Sequence, residues 1–190
     1  MKSEDKIYLA YFELKQNKLY YNQLKEYTNL SHSSIQNILG KLTNLKILKQ
    51  IKTKSNTFYE INNKKQFTLK FAEIAIQKFD NLNINVENPL RNFLKNVSKE
   101  IYTIILFGSA SMKQEQKGSD IDLLIISNSK INLEKNKKEA EITSKYPISI
   151  FQSTTKQFIQ NKDDIIIQAK KTGFPIYKEQ NFYEVILDEY

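Results

Sequence analysis

The 190-residue chain reads as α/β (α+β): a small helical module that ends in a β-hairpin, followed by a mixed β-sheet flanked by helices. Three observations predict this. Apolar residues recur at helical spacing through the first 42 residues, two short runs flank a polar turn at residues 53–56, and two β-branched runs at residues 101–107 and 121–126 have the length and composition of buried strands.

Taken in order, residues 6–13 bear Ile7, Leu9, Ala10, Tyr11 and Phe12, enough for a first helix, and residues 21–27 a short second one. Asn29, Leu30 and Ser31 make a turn. Ser31 or Ser33 caps the next helix, in which Ile35, Ile38, Leu39 and Leu42 recur at i, i+3, i+4 and i+7. Residues 45–52 and 57–61 then read as two strands around a basic tip. Residues 66–82 form an aromatic-rich connecting helix whose apolar stripe belongs to a core or a dimer seam. Residues 81–88 are polar and turn-rich, and Pro89 suits the first turn of a helix running to Lys99. Beyond the two β-branched runs come a charged helix at 132–145, a strand at 146–152, helices at 154–160 and 163–171, a turn at 172–175, a short strand at 176–177 and a terminal helix at 182–187. The expected organisation is a first module at 1–65, a connecting helix and linker at 66–88, and a second module at 89–190. No internal repeat is present.

Composition narrows the function classes. With 40% hydrophobic and 26% charged residues the chain is globular rather than disordered. It has no cysteine, which removes disulfides and thiolate zinc sites and fits a reducing compartment. No apolar run approaches the ~20 residues of a membrane helix and no signal-type segment opens the chain, so a soluble, cytoplasmic protein without a membrane partner is expected. Abundant lysine, asparagine and isoleucine reflect an AT-rich coding bias. The charge is nonetheless uneven: residues 1–65 hold 12 lysines and 5 acids, whereas residues 66–190 hold 17 Lys or Arg and 16 acids. A basic surface confined to the first third is the footprint of polyanion binding.

Within that third, the polar face of the third helix carries Ser33, Ser34, Gln36, Asn37 and Lys41, side chains of the kind that contact base edges and phosphates in a major groove. His32 reads as an exposed turn residue, since a lone histidine makes no metal site. Three helices followed by a hairpin resemble a winged helix-turn-helix. That resemblance implies double-stranded DNA as partner, with Gln36, Asn37 and Lys41 facing bases and Lys52 and Lys54 on the backbone. Dimerisation on a palindromic operator makes a homodimer a further expectation. The competing role of such a module is protein docking.

The second module carries the chemistry. Gly108-Ser109 follows the first β-branched run, and Ser119-Asp120-Ile121-Asp122 opens the next. A period of two places the Asp120 and Asp122 carboxylates on one side of a strand while Ile121 enters the core. Two hard oxygen ligands suit Mg²⁺ carrying a nucleoside triphosphate, ATP or another NTP, and Gly108 and Ser109 let backbone and hydroxyl approach phosphate. Gly-Ser, ten residues, then Ser-Asp-hydrophobic-Asp resembles the signature of the polymerase-β-like nucleotidyltransferases in their minimal form. The resemblance covers about residues 89–178. It implies catalytic and metal roles for Asp120 and Asp122 and nucleotide contacts for Gly108, Ser109 and Ser119. Two departures are visible: Met112 and Lys113 stand where the family carries Arg-Gly, and the strand at 146–152 has no acid where a third carboxylate belongs, Ser149 or Gln152 taking that position. Glu115 and Glu141 read as solvated charges.

The combined expectation is a DNA-binding transcriptional regulator whose second module binds a Mg²⁺-nucleotide, with catalysis degenerate. The alternative is an active enzyme that moves a nucleoside monophosphate from an NTP to a protein, RNA or small-molecule hydroxyl. A third possibility is a scaffold for dimerisation that binds no nucleotide.

Overall fold

In the computed structural model, which describes residues 2–190, two separate sheets form. Residues up to Ile74 together with Tyr183–Tyr190 make one compact unit, and Ala75–Phe182 a second. The divisions fall inside helices; the polar stretch at 81–88 expected as a linker is largely helical.

The first unit holds α1 (Ser3–Leu14), β1 (Lys18–Tyr20), α2 (Tyr21–Thr28), α3 (His32–Asn44), β2 (Leu48–Lys52) and β3 (Thr57–Ile61), and its sheet runs β1-β3-β2, all antiparallel. Ser31 caps α3 by accepting from the Ser34 amide, and Ile35, Leu39 and Leu42 are buried. Strand β1 is unforeseen by the sequence reading: three residues are too few for a periodic signal, and it exists because Leu19 pairs across to Tyr59. Residues 45–47 are not strand, since Lys46 turns the chain at φ +56.

The first turns of α4 (Lys64–Asp80) bring Phe67 and Phe71 against Tyr8, Tyr11 and Phe12 of α1 in edge-to-face and tilted contacts, and Phe71 also meets Tyr183. One charge lies inside this packing. Asp5 is fully buried, accepts from the Lys2 amide at 3.0 Å and pairs with Lys70 Nζ at 2.9 Å. Removing the cation strands a buried carboxylate, so Lys70→Met is expected to destabilise the protein by roughly 2–4 kcal/mol, solvent access at Lys70 keeping the loss below that of a fully enclosed pair. Chemical denaturation measures it.

The second unit continues through α4 into α5 (Ile84–Leu94), β4 (Ile101–Phe107), α6 (Gly108–Ser111), β5 (Ile121–Ser127), α7 (Glu134–Glu141), β6 (Ile148–Ser153), α8 (Thr155–Gln160), α9 (Asp164–Thr172), β7 (Phe174–Tyr177) and α10 (Glu179–Asp188), whose last turns belong to the first unit. The sheet order is β6-β5-β4-β7, with β5 and β6 parallel and the other pairs antiparallel. This is a mixed sheet flanked by helices, the α/β class that the sequence predicts. Central strands β4 and β5 are buried almost throughout, as their unbroken β-branched runs require. Helix α5 starts before Pro89 rather than at it, because Asn83 caps it by accepting from the Asn85 amide; Pro89 therefore sits inside the helix.

Gly173, between α9 and β7, lies where two carbonyls converge. A Cβ there would stand 2.6 Å from the oxygens of Ala169 and Leu106 and 2.9 Å from Ile105 Cγ2. Its φ is ordinary, so the demand is steric. Gly173→Ala is expected to lower stability by ~2 kcal/mol through overpacking, read as a fall in the thermal midpoint.

Candidate functional site

Strands β4 and β5 deliver the motif residues to one end of the second sheet. Phe107, the last residue of β4, pairs with Asp122 on β5, and Asp122 pairs on its other side with Ser149 of β6. The chain passes from Phe107 straight into α6 without a loop, and Gly108 takes φ +71 to make that turn. A Cβ on Gly108 would overlap Asp122 Oδ2. Glycine is thus required both by the left-handed backbone and by the close approach of the carboxylate. Ser111 anchors the turn, its hydroxyl meeting Gly108 O at 2.7 Å and Thr172 O at 2.9 Å.

Asp122 lies on β5, but Asp120 precedes the strand rather than standing on it: the Ile121 amide bonds to Pro147 O, and the ladder begins there. The two carboxyls still share one locale. Burial raises the pKa of Asp122 above its ordinary value, and the charge of Asp120 raises it further. Asp120 Oδ2 accepts a 2.7 Å hydrogen bond from Ser149 Oγ. Ser149, in register with Asp122, thus occupies the position where the family resemblance expects a third carboxylate.

The other candidates for that role are engaged or separate. Gln152 pairs with Ile125 further along, and its amide clasps the backbone of Ile131 at both ends, accepting at 3.1 Å and donating at 2.9 Å. Glu141 is not merely a solvated charge: it accepts from the Ile148 amide at 3.0 Å and so secures the start of β6. Glu115 is half-buried, with one carboxylate oxygen enclosed and without a hydrogen-bond partner. Among the described residues no three His, Asp or Glu side chains group as a metal site.

Two neighbouring carboxylates, one of them bonded by a hydroxyl, form an all-oxygen donor set suited to one hard divalent cation. Mg²⁺ fits that chemistry because it keeps several waters and needs few protein ligands. Asp120 and Asp122 would hold it, and the ion would neutralise charge on a triphosphate. Ser109 stands half-buried in α6 beside Gly108. Ser119 is turned to local work, its hydroxyl accepting from the Gln116 amide at 2.9 Å. Lys113, in the region where the family carries Arg-Gly, holds φ +57, a conformation glycine takes at lower cost.

Residues 88–181 match the family model described as polymerase beta, nucleotidyltransferase. The matched segment runs from within α5 into α10 and encloses the Gly108–Ser109 turn, the acid pair and Ser149. No curated protein and no solved structure gave a match to the chain. Residues 88–181 of the chain are accordingly similar to nucleotidyltransferase domains, and among the described residues no helix is long and apolar enough to cross a membrane.

The residues expected on the polar face of α3 are distributed as follows. Ser33 and Ser34 join the capping network around the Ser31 hydroxyl, at 3.2 and 2.9 Å. Lys41 is held by Glu4 of α1 at 2.6 Å. Gln36 and Asn37 are exposed, as are Lys52 at the end of β2 and Lys54 in the hairpin turn. Gln36 and Lys52 line one concavity, together with residues the sequence reading passed over: Tyr21, Gln50 and Tyr59. His32 is exposed, as expected, but its Nδ1 lies 2.6 Å from Tyr21 Oη. The overlooked signal is the alternation Leu48, Gln50, Lys52, which carries the inward face of β2 from apolar to polar.

Proposed function

We propose that the nucleotidyltransferase domain binds a Mg²⁺-nucleoside triphosphate at Asp120 and Asp122, with Gly108, Ser109 and Ser119 on the phosphate side, and that nucleotide occupancy regulates binding of double-stranded DNA by the first unit. The observation that carries this reading is the bond from Ser149 to Asp120. A serine in place of a third acid leaves a site able to hold one cation but without a carboxylate base to take the proton of an acceptor hydroxyl. The helix order and antiparallel hairpin of the first unit support the resemblance to a winged helix-turn-helix. The unit's excess of lysine, 12 against 5 acids over residues 1–65, supports a polyanionic partner.

If the two sites are coupled, nucleotide must change DNA affinity by the same factor as DNA changes nucleotide affinity. Titrating the full chain with its own upstream duplex and a scrambled one, across a salt series with and without Mg²⁺-ATP or Mg²⁺-GTP, is expected to show a native-sequence preference that nucleotide shifts roughly 5-fold or more. Equal affinity for both duplexes under every condition removes the regulatory reading.

The family match favours a second reading, transfer of a nucleoside monophosphate from an NTP to a hydroxyl of protein, RNA or a small molecule. There the acceptor oxygen attacks the α-phosphorus, pyrophosphate departs, and the proton passes to solvent or another base; a divalent cation held by Asp120 and Asp122 would offset the charge on the phosphates. Incorporation of α-labelled nucleotide that vanishes in Asp120→Asn and Asp122→Asn establishes it. Label that persists in both excludes this mechanism.

A further inference from the structure

The first unit contains a cavity of about 390 Å³ between the starts of α2 and α3 and the β2–β3 hairpin. Strand register explains why it is open and polar. Leu48, Gln50 and Lys52 alternate onto one face of β2, opposite Ile61, Tyr59 and Thr57 of β3. Leu48 is buried in the core, whereas Gln50 and Lys52 on the same face are exposed. Core-facing strand positions that turn polar toward the hairpin tip mark a stretch that the helices do not cover and that something wet or polar meets.

The walls are ordered. Gln50 Nε2 donates to Tyr59 Oη at 3.2 Å, and Tyr21 Oη lies 2.6 Å from His32 Nδ1 with the two rings edge to face at 5.6 Å. Gln36 closes the α3 side. The lining contains aromatic rings, amides that both donate and accept, and one ammonium, but no carboxylate. Each group has a counterpart on a nucleotide: a ring for the phenols to stack on, a base edge for the amides, a phosphate for Lys52. The volume lies within the range of small-ligand sites. An intact duplex uses only part of this lining: it offers Lys52 a phosphate and the amides a base edge in the groove, but its stacked bases present no ring face to the phenols.

We propose that this cavity takes one unstacked nucleotide. Its source is a nucleic-acid strand, an overhang or bulge beside the duplex, since the lysine excess of residues 1–65, 12 against 5 acids, attracts a polymer rather than a monomer. The proposal rests on the reading that the first unit binds nucleic acid, which the test checks separately. The full chain is titrated at one salt concentration with a labelled blunt duplex, the same duplex carrying a three-nucleotide overhang or a one-nucleotide bulge, and the blunt duplex in the presence of 5′-mononucleotides. The unpaired nucleotide is expected to tighten binding roughly tenfold, the range for one stacked base, and exposed-residue variants Gln36→Ala and Lys52→Ala, checked for folding by circular dichroism, are expected to erase most of that gain. A 2-aminopurine at the unpaired position is expected to be quenched by the wild type and less so by Gln36→Ala.

Equal affinity for blunt and unpaired duplexes, with no 2-aminopurine quenching, overturns the cavity's role and leaves duplex binding standing. Binding to none of the nucleic acids overturns the nucleic-acid reading as well. Mononucleotide binding that Gln36→Ala weakens, with no advantage from the overhang, keeps the chemistry of the cavity and overturns the strand as its source.

Discussion

Asp122→Asn is expected to remove Mg²⁺-dependent nucleotide binding while making the metal-free protein more stable at neutral pH. Both effects follow from one geometry. Burial and the charge of Asp120 raise the pKa of Asp122 above its usual 3.8, so the folded protein resists ionising this group more than the unfolded chain does. The stability that goes with the neutral form is fully present below the ordinary pKa and is lost as pH rises through the raised folded value. Asparagine mimics the neutral form at every pH. The thermal midpoint of the metal-free wild type should therefore fall as pH rises through that window, whereas that of Asp122→Asn should change less. Metal binding carries the opposite sign, because protons compete with the cation: Mg²⁺-nucleotide affinity should weaken as pH falls through the same window. Loss of one of two carboxylate ligands is expected to lower that affinity by about 100-fold or more, beyond the 10–100-fold typical of groups that merely support a ligand.

Gly108→Ala is expected to have a comparable effect on binding without touching a ligand. The backbone at φ +71 costs an alanine about 1–2 kcal/mol. The larger consequence is steric, since the new methyl would occupy the place of Asp122 Oδ2 and drive the carboxylate off the position shared with Asp120. Nucleotide affinity should fall by about 100-fold, as though Asp122 were absent, with a destabilisation that Asp122→Asn does not show. Comparing the two by thermal denaturation and nucleotide titration separates a displaced ligand from a missing one. The converse substitution is Ser149→Asp, which places an acid in register with Asp122. It is expected to raise the Mg²⁺ affinity of the folded protein several-fold and to lower metal-free stability at neutral pH by like-charge repulsion, both measurable by titration and melting with and without Mg²⁺.

Much of this site was legible in the chain. Strands β4 and β5 declare themselves because they are buried on both faces, so apolar β-branched residues run uninterrupted and end where Gly108 begins and Asp120 precedes. Helix α3 is equally plain, since Ile35, Leu39 and Leu42 bury one stripe and Ser31 accepts the capping bond. What stayed hidden depends on tertiary neighbours. That Ser149 rather than Gln152 meets the acids is a matter of β5–β6 register, which no local pattern in β6 specifies. Pro89 misplaces the start of α5 because proline is most at home in a first turn, while here the Asn83 cap sets the start earlier. Lys41 looks free on a helical wheel but meets Glu4, which lies on α1 and far away in sequence. The cavity of the first unit follows from the pairing of Gln50 with Tyr59, a cross-strand relation that neither strand shows alone.

The measurement that tests the central claim most directly is isothermal titration of ATP, GTP, CTP and UTP into the full chain in Mg²⁺ and in EDTA, for wild type, Asp120→Asn and Asp122→Asn. The predicted result is one nucleotide bound per chain in Mg²⁺, no binding in EDTA, and none in either variant despite native-like circular dichroism. Binding that is unchanged by EDTA, or retained at wild-type affinity in both variants, contradicts a Mg²⁺-nucleotide site built on Asp120 and Asp122.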